Sequence, residues 1–473
     1  MTRAVRPRLV LLVSVTGAML VALDGTVLLV AQPSLQRDFG ASVAQVQWTS
    51  TGYLLAVAAF LVIAGRLGDR YGHPRLLFVG VLGFGAASAG IALAPTVDWV
   101  IGLRAVQGVS GALLQPATLA LLRLAYPADR IGAAVAVRTS AIGVAAGAGP
   151  VLGGVLVAHL GWRAVFTVNV PVALAIAVLT LTVRVPKPER SGSQRLNLTG
   201  AALLATALAV LVNALAGVPA RGWTAAPTLL GFLAAAGVTA LLVVHERRVP
   251  HPIVPSAVAR SVPVIASMAI LLVTTAGMFG ALFVATFFLQ DAVRLDPLTS
   301  GLRVLPLTAL MVLGAPSAGA ALRRFGPRRT AIVGTILVVL GIAGLSRLDA
   351  TSTWTVTGAA FAVLGAGFAT VMVTATGTIV GDALPGDAGV VGGLKQTAMN
   401  IGPTFGIAVA ASMMLLSPFS VGPSVPGVIP TAAAAPMGST LLVLAGLAVL
   451  GLLPASLLPA SPLPRDRPIR SAT

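Results

Sequence analysis

The sequence predicts an all-α integral membrane protein, because the chain is too apolar to fold in water and its apolar runs have the length of membrane-spanning helices. Hydrophobic residues make up 57% of the 473 residues and charged residues only 9%. A spanning helix needs about 20 mostly apolar residues. Fourteen runs approach or exceed that length: 9–31, 49–64, 76–94, 97–121, 131–157, 164–183, 198–217, 228–244, 263–289, 302–321, 330–346, 355–380, 388–416 and 437–458. If the runs 198–217 and 228–244 do not span, the count is twelve.

The distribution of basic residues predicts the orientation of the chain. The net charge of +18 would suggest a nucleic-acid partner in a water-soluble protein. With the N-terminus in the cytoplasm, 22 Lys and Arg residues lie between or beside the runs on the cytoplasmic side and six on the outer side. Loops rich in Lys and Arg remain in the cytoplasm. We therefore expect a multi-pass cell-membrane protein with both termini in the cytoplasm and no nucleic-acid partner, and the Ala, Val, Gly and Arg usage favours a bacterial source.

Two segments recur in the chain at nearly the same offset. Residues 65–75 have a degraded copy at 319–329, 254 residues later, and residues 138–144 have one at 395–401, 257 residues later. We therefore expect two homologous six-helix halves with a substrate path between them, near the membrane midplane. The predicted organisation is a first half at 1–185, a linker with two additional helices at 186–259, a second half at 260–460 and a cytoplasmic tail at 461–473.

Asp24 is the one carboxylate that lies deep inside an apolar run. An ionised side chain in hydrocarbon is costly enough that it usually marks a functional site. Asp24 lies seven residues before the outer end of the first run, and Arg104 lies seven residues into the fourth run from its outer end. At about 1.5 Å per residue, both side chains sit roughly 10 Å below the outer boundary, so they can pair.

The pairing of Asp24 with Arg104 has two interpretations. A cation beside a carboxylate favours its ionised form, whereas an apolar cavity favours its protonated form. Separating the pair, or inserting a substrate between its members, would therefore change the proton occupancy of Asp24 and couple protons to transport. Alternatively, the pair is a static buried ion pair that fixes helix packing.

The sequence favours no metal, cofactor or catalytic chemistry. Cysteine is absent, which excludes disulfides and thiol chemistry. The four histidines are scattered without the spacing of metal ligands. No phosphate-binding loop of the Walker type is present, which argues against an ATP-driven pump. We expect that the protein is not an enzyme.

The fifth apolar run carries small residues at helical spacing around a proline. Small residues four positions apart let helix backbones approach closely, and proline removes a helical hydrogen bond and permits a bend. The residues concerned are Gly143, Gly147, Gly149, Pro150, Gly153 and Gly154. They predict a hinge between rocking halves or ordinary tight packing, and the two are compatible.

Five segments, in order, resemble motifs of the major facilitator superfamily, specifically of its fourteen-helix drug:proton antiporters. They are LDGTVLLVAQP (23–33), GRLGDRYGHPR (65–75), LRAVQG (103–108), GVAAGAGPVLGG (143–154) and WRAVFTVNVP (162–171). The resemblance covers essentially the whole chain and implies the major facilitator fold, with two six-helix halves and two inserted central helices. It implies a proton site at Asp24 with Arg104 as its relay partner. It further implies a cytoplasmic gate formed by Gly65, Asp69, Arg70, Gly72 and Arg75, and the alternative is a plain loop whose basic residues only set the orientation.

Polar residues inside the apolar runs are the candidates for a substrate cavity. Arg138 and Lys395 are embedded cations, each about seven residues from the cytoplasmic end of its run, and the repeat relates them. They either flank the inner mouth of the cavity or extend to the membrane interface, and the resemblance supports a cavity role for Lys395. The remaining candidates are Thr26, Gln107, Gln396 and Asn400.

The expected function is that of a monomeric antiporter, driven by the proton gradient, which exports amphipathic small molecules such as drugs or antibiotics by alternating access. One embedded acid and two embedded cations favour neutral, weakly anionic or monocationic substrates over dications. Proton-coupled uptake of a small metabolite and a transport-inactive membrane sensor or scaffold remain as alternatives. Two residues depart from the family pattern: Leu29 stands where Asn is frequent, and Arg323 stands where the first half has Asp69. The first departure puts a polar cavity contact in doubt, and the second removes a symmetric gate.

Overall fold

The computed structural model describes residues 6–183, 197–249, 252–254, 256–349, 351–382, 388–416 and 434–460, and within these ranges every regular element is a helix. In hydrocarbon no water is available to the backbone, so a spanning segment must satisfy its N–H and C=O groups internally, as a helix does. The prediction of an all-α membrane fold is confirmed.

The first half of the chain forms seven helices, of which the short α6 leads directly into α7. They are α1 (Pro7–Phe39), α2 (Val43–Tyr71), α3 (His73–Ala92), α4 (Val97–Ala125), α5 (Ala128–Leu160), α6 (Arg163–Thr167) and α7 (Asn169–Thr182). We call the end of the bundle at which α1 begins the near end, and the end at which α1 stops the far end.

The linker and the second half are also helical. The linker holds α8 (Leu198–Arg221), α9 (Ala226–Arg248) and the short α10 (Ser256–Arg260). The second half consists of α11 (Val262–Phe287), a π-helical turn (Phe288–Ala292), α12 (Pro297–Leu345), α13 (Trp354–Asp382), α14 (Ala388–Leu416), α15 (Ala434–Val449) and α16 (Leu452–Ser456). Residues 186–196 of the predicted linker and the predicted tail at 461–473 lie outside the described ranges.

Within the described ranges, eleven helical segments are long and apolar enough to cross a membrane. One of them, α12, is broken at Gly326, whose φ of 79° and ψ of 169° are not helical. The sequence predicted two runs here, at 302–321 and 330–346, and the break falls between them. Gly72, the equivalent residue of the first repeat, also has a positive φ of 96° and separates α2 from α3. Glycine adopts this backbone region without steric penalty. The count of fourteen spans stays a prediction.

The helices extend beyond the apolar runs from which they were predicted, because polar residues continue them to their caps. The run at 49–64 belongs to a helix that starts at Val43, where Ser42 and Gln45 form a capping box. The Gln45 N–H donates to Ser42 Oγ at 3.2 Å, and the Ser42 N–H donates to Gln45 Oε1 at 3.0 Å. These reciprocal bonds satisfy backbone donors that the first turn leaves without partners.

The two halves meet along two helix pairs, α5 with α12 and α2 with α14. Inside the first half α1 packs against α5 and α4, and inside the second half α11 packs against α14 and α13. The inserted helix α8 packs against both α2 and α14, so it covers the seam between them. The homology of the halves and their boundaries remain predictions from the sequence.

At the far end the two halves are in direct polar contact through the π-helical turn. Gln290 Nε2 donates to the Val30 carbonyl of α1 at 3.0 Å, and Arg37 Nη1 lies 3.6 Å from Asp291 Oδ1. A π turn changes the direction of the side chains that follow α11, and such turns are frequent at functional sites. These contacts hold α1 against the second half at the far end.

Candidate functional site: a buried carboxylate and its neighbours

A buried polar network surrounds Asp24 in the middle of α1. Asp24 is 2% exposed and Arg104 of α4 is 1% exposed. The Nη1 atom of Arg104 donates to Asp24 Oδ2 at 2.5 Å. The structure therefore brings together the two side chains that were predicted to pair. A buried charge needs such a partner, because transfer from water is unfavourable for each ion alone.

Two neutral donors bind the other carboxylate oxygen. Asp24 Oδ1 accepts hydrogen bonds from Gln107 Nε2 at 3.0 Å and from Asn169 Nδ2 at 2.9 Å. Ser88 of α3 links the network further, because its Oγ accepts from Gln107 Nε2 at 3.0 Å and donates to the Phe84 carbonyl at 2.8 Å. One carboxylate thus ties α1 to α4 and α7, and through Gln107 to α3.

Arg104 contacts both hydrogen-bond acceptors and aromatic rings. Its Nε donates to the Thr49 carbonyl at 2.8 Å, and its Nη1 also donates to Gln107 Oε1 at 2.6 Å. The guanidinium carbon lies 4.3 Å from the ring centroid of Tyr53 and 5.9 Å from that of Phe166. Aromatic faces attract cations, most strongly away from water. These contacts fix the cation inside the bundle and keep it from the membrane interface.

The sequence around Arg104 explains how these contacts form. Arg104 and Gln107 are three residues apart, so they lie on one face of α4. Gly108 follows them, and a Cβ there would overlap the Tyr53 carbonyl oxygen and lie 2.8 Å from Ala56 Cβ. The missing side chain lets the backbones of α2 and α4 approach closely, as small residues do between membrane helices. This approach places Thr49 and Tyr53 beside the guanidinium.

The structure adds network members that the sequence did not single out. Asn169, Ser88 and Tyr53 are all buried, and none was among the candidates. Asn169 did carry a signal, because it lies inside an apolar run and inside the segment 162–171, whereas Ser88 and Tyr53 resemble ordinary helix residues. Gln107 was a candidate for the substrate cavity, and the structure places it in the Asp24 network, fully buried. Its amide bridges the carboxylate and the guanidinium.

Thr26 lies two residues from Asp24 and packs against α5. Its Oγ donates to the carbonyls of Ala22 and Leu23 in its own helix, at 3.3 and 3.2 Å. A Cβ on Gly149 would overlap this Oγ, and a Cβ on Gly153 would lie 3.0 Å from the Val27 carbonyl oxygen. Thr26 therefore belongs to the α1–α5 interface in this structure.

The other face of α5 packs against α12 of the second half. A Cβ on Gly154 would lie 2.7 Å from the Pro297 carbonyl oxygen, and a Cβ on Gly301 would overlap the Pro150 carbonyl oxygen. Towards the near end, a Cβ on Gly147 would lie 3.3 Å from Thr308 Cβ. A Cβ on Gly143 would lie 3.9 Å from Val312 of α12. The small residues of α5 thus permit close packing on both sides, while their role as a hinge stays a prediction.

The four remaining cavity candidates lie on α5 and α14. Arg138 Nη2 donates to Thr118 Oγ1 of α4 at 2.9 Å. On α14, Gln396 Nε2 donates to Asn400 Oδ1 at 3.3 Å, and Lys395 precedes them. Arg138, Lys395 and Gln396 are partly buried, and Asn400 is buried.

The predicted gate lies at the near end. Gly65 packs towards Pro116 of α4, where an added Cβ would be 4.0 Å from the proline Cβ. Gly72 separates α2 from α3, and Arg75 is exposed in the first turns of α3. The side chains of Asp69 and Arg70 lie outside the described part of the chain. Among the residues that the structure describes, no group of three or more His, Cys, Asp or Glu side chains could hold a metal ion.

A bundle of membrane-spanning helices in two halves, with an ion pair buried inside the first half, is typical of a polytopic membrane transporter. The chain belongs to the Major Facilitator Superfamily, whose family model matches residues 15–407. The resemblance inferred from the sequence motifs is therefore confirmed.

Its curated relatives are resistance and export proteins of bacteria. The chain is 40% identical over 410 residues to the tetracenomycin C resistance and export protein of Streptomyces glaucescens. The aligned segment covers 86% of this chain and 76% of that protein. It is 33% identical over 408 residues to the puromycin resistance protein pur8 of Streptomyces alboniger, covering 84% of this chain and 80% of that protein. It is 30% identical over 409 residues to the multidrug resistance protein Stp of Mycobacterium tuberculosis, covering 86% of this chain and 75% of that protein.

Solved structures of the same fold are more distant in sequence. A bacterial homologue of the human lysosomal transporter Spinster, in an inward-facing and occupied conformation, superposes with a TM-score of 0.69 at 15% identity, covering 95% of this chain and 96% of that chain. The xylose transporter XylE from E. coli, in a partially occluded inward-open conformation, gives a TM-score of 0.63 at 15% identity. The superposition covers 94% of this chain and 98% of that chain. At such identities the comparison establishes the fold alone.

Proposed function

We propose that the protein exports amphipathic, drug-like molecules from the cytoplasm in exchange for protons, with Asp24 as the proton site and Arg104 as its partner. The resistance and export proteins among its relatives support drug efflux. The observation that carries the proton assignment is the position of Asp24, a buried carboxylate bonded to Arg104 of α4 and to Asn169 of α7.

Protonation of this carboxylate has a mechanical consequence. The bond between Arg104 and an ionised Asp24 is charge-assisted and stronger than a neutral bond. When Asp24 gains a proton, Arg104 becomes a buried cation without a counter-charge, which is strongly unfavourable. The helices that carry the network, α1, α4 and α7, then favour an arrangement in which Arg104 is hydrated or otherwise paired. Proton binding would thereby shift the conformational equilibrium.

The contacts of α1 supply a route from this site to the seam between the halves. Asp24 is followed by Thr26 and Val27, which pack against Gly149 and Gly153 of α5. The opposite face of α5 packs against α12 through close backbone contacts. A movement of α1 at Asp24 would therefore be transmitted to α5, and from α5 to the second half. This continuity supports the rocking of the two halves.

The predicted orientation and the names of the relatives support the proposed direction of transport. The bias of basic residues predicts that the near end faces the cytoplasm, and the Arg37–Asp291 and Gln290–Val30 contacts would then join the two halves on the outer side. In an arrangement open at the near end, substrate would enter from the cytoplasm. Opening of the far end would release substrate outwards and admit protons to Asp24.

The test uses proteoliposomes with an imposed pH gradient and a panel of lipophilic compounds. Wild type is compared with Asp24→Asn and with Asp98→Asn, which makes the same chemical change at an exposed position in the first turn of α4. We expect gradient-driven movement in wild type and Asp98→Asn, and its loss in Asp24→Asn. Equal transport by Asp24→Asn and wild type would refute the proton assignment. Movement of compound and protons in the same direction would instead support symport.

A further inference from the structure

A buried glutamine of α1 lies on the far side of the Asp24 network. Gln32 follows Asp24 by eight residues in α1, which places it roughly 12 Å along the helix towards the far end. Its side chain is fully buried. A side-chain amide has donors on its nitrogen and an acceptor oxygen, and burying either without a partner is unfavourable. The partners of Gln32 therefore need to be accounted for atom by atom.

The amide nitrogen of Gln32 has its partners in the first turns of α2. Nε2 donates to Ser50 Oγ at 2.9 Å, and it also lies 3.4 Å from Thr49 Oγ1 and from the Val46 carbonyl oxygen. These three residues are three or four positions apart, so they share one face of α2. Gln32 is therefore held against that face.

Thr49 also holds Arg104, so Gln32 and Arg104 meet at a single residue. The Thr49 carbonyl accepts a hydrogen bond from Arg104 Nε at 2.8 Å, while the Thr49 hydroxyl accepts from Gln32 Nε2 at 3.4 Å. All three residues are buried. The Gln32 amide and the Arg104 guanidinium are thus neighbours across Thr49, in a region from which water is excluded.

The Gln32 oxygen is an acceptor without a donor. Oε1 is buried and accepts no hydrogen bond from the described residues, which is unusual in folded proteins. Protonation of Asp24 creates the opposite deficit, because Arg104 then keeps only neutral acceptors, the Thr49 carbonyl and Gln107 Oε1. A donor that loses its charged acceptor in one state thus lies beside an acceptor that has no donor in the other.

We infer that Gln32 is a positioning residue for the proton step, whose Oε1 accepts a hydrogen bond from the Arg104 guanidinium when Asp24 is protonated. This inference rests on the proposed function, because it names where Arg104 goes in that mechanism. The proton added to Asp24 comes from solvent, and Arg104 keeps its own protons. The guanidinium moves from Asp24 towards the far end. Gln32 thereby stabilises the protonated state, in which Arg104 is otherwise a buried cation without a strong acceptor.

A purely structural role of Gln32 predicts a change of the opposite sign. If the amide only braces Thr49, and so holds Arg104 beside the ionised carboxylate, its loss weakens the ionised pair and makes Asp24 easier to protonate. If its oxygen accepts Arg104 after protonation, its loss disfavours the protonated state and makes Asp24 harder to protonate. The direction of the change therefore separates the two roles.

The test is an infrared titration of the purified full-length protein in lipid nanodiscs. Protonated Asp24 is followed by the carboxyl C=O band that is absent from Asp24→Asn, so that the bands of other carboxyl groups cancel. Gln32→Leu should lower the midpoint of this band by about one pH unit, because the protonated state loses one hydrogen bond to a charged group.

A conservative variant should move the midpoint the other way. Gln32→Glu keeps the shape and the acceptor and adds a charge that attracts Arg104 more strongly than the amide does. The midpoint of the Asp24 band should therefore rise above that of wild type. The band is read against Gln32→Glu combined with Asp24→Asn, which removes the contribution of the new carboxyl group.

Gln47→Leu is the matched control. Gln47 is also a fully buried glutamine, and neither amide atom has a described partner. It lies on α2 about 100° round the helix axis from Val46, away from the face that meets Gln32. The same chemical change there should leave the midpoint unchanged. The other titratable or charged groups on the elements packed around the network are Tyr53 beside Arg104, and Arg37, Asp38, Asp98, Arg163 and Asp291 towards the far end, and none is altered in these variants.

The inference is overturned if the midpoint of Gln32→Leu equals or exceeds that of wild type, or if no carboxyl band depends on Asp24. An equal fall in Gln47→Leu would also overturn it, since the effect would then reflect general packing. The titration requires no transport, so its outcome is separate from the proposed function. Normal gradient-driven transport with an unchanged titration in Gln32→Leu would remove only the role of Gln32.

Discussion

Removing one member of the Asp24–Arg104 pair should destabilise the protein far more than removing both. Arg104→Met leaves an ionised carboxylate with only two neutral donors, Gln107 and Asn169, and Asp24→Asn leaves a buried cation facing an amide. Breaking a buried pair in this way costs about 3–5 kcal/mol per single variant. Replacing both members together is often close to neutral, so the double variant should lie within about 2 kcal/mol of wild type.

The free energy of unfolding would be measured by reversible denaturation in mixed micelles of dodecyl maltoside and SDS. The two single variants and the double variant form a double-mutant cycle. The matched control is the same cycle for Asp38 and Arg163, which form an ion pair of 2.7 Å with side chains 45% and 44% exposed. An exposed pair contributes about 0–1 kcal/mol, so its cycle should show little coupling. Proton-coupled transport should be lost in all three variants of the buried pair.

The reasoning would be wrong if the buried double variant were as unstable as the sum of its single variants. Such additivity is typical of side chains that do not interact. It would mean that the two charges are satisfied separately by the remaining groups of the network.

Three further changes test other parts of the site. Asn169→Leu removes a neutral donor to the buried carboxylate and should lower stability by about 1.5–3 kcal/mol, measured in the same micelles. It should also impair transport, and unchanged transport would exclude Asn169 from the coupling network. Gly149→Ala forces a methyl group into the α1–α5 contact and should cost about 1–3 kcal/mol, whereas Gly25→Ala, which has open space around its Cα, should gain up to about 1 kcal/mol. A stable Gly149→Ala variant would show that the close contact is dispensable. Asp291→Asn weakens the far-end contact and should speed deuterium exchange in the π-helical turn, and unchanged exchange would show that the contact does not hold the far end closed.

The sequence predicted much of the fold because the membrane restricts the alternatives. Its apolar runs predicted the helices, and the break between two runs matched the position of Gly326. Helix ends were predicted less well, because the helices continue through polar residues to caps such as Ser42, which are local signals that hydropathy does not include.

The site was predicted in part for a similar reason. Asp24 and Arg104 could be paired from sequence because their depths in the membrane follow from counting residues along two helices. The assignment of Gln107 to the substrate cavity could not be made reliably in this way, because depth does not define which direction a side chain faces. Each successive residue of a helix points about 100° further round the helix axis, so an error of one residue changes which neighbour a side chain faces.

The sequence by itself determined that the protein lies in a membrane, that it is helical and which family it belongs to, and it predicted the orientation from the charge bias. Each of these depends on composition or on spacing within a single segment. Only the tertiary structure decided which distant groups meet: that Asn169 and Gln107 share the carboxylate of Asp24, and that α5 packs closely against both α1 and α12. Such contacts depend on how helices far apart in the chain pack side by side and how they are rotated about their axes. The periodicity of one helix cannot specify either.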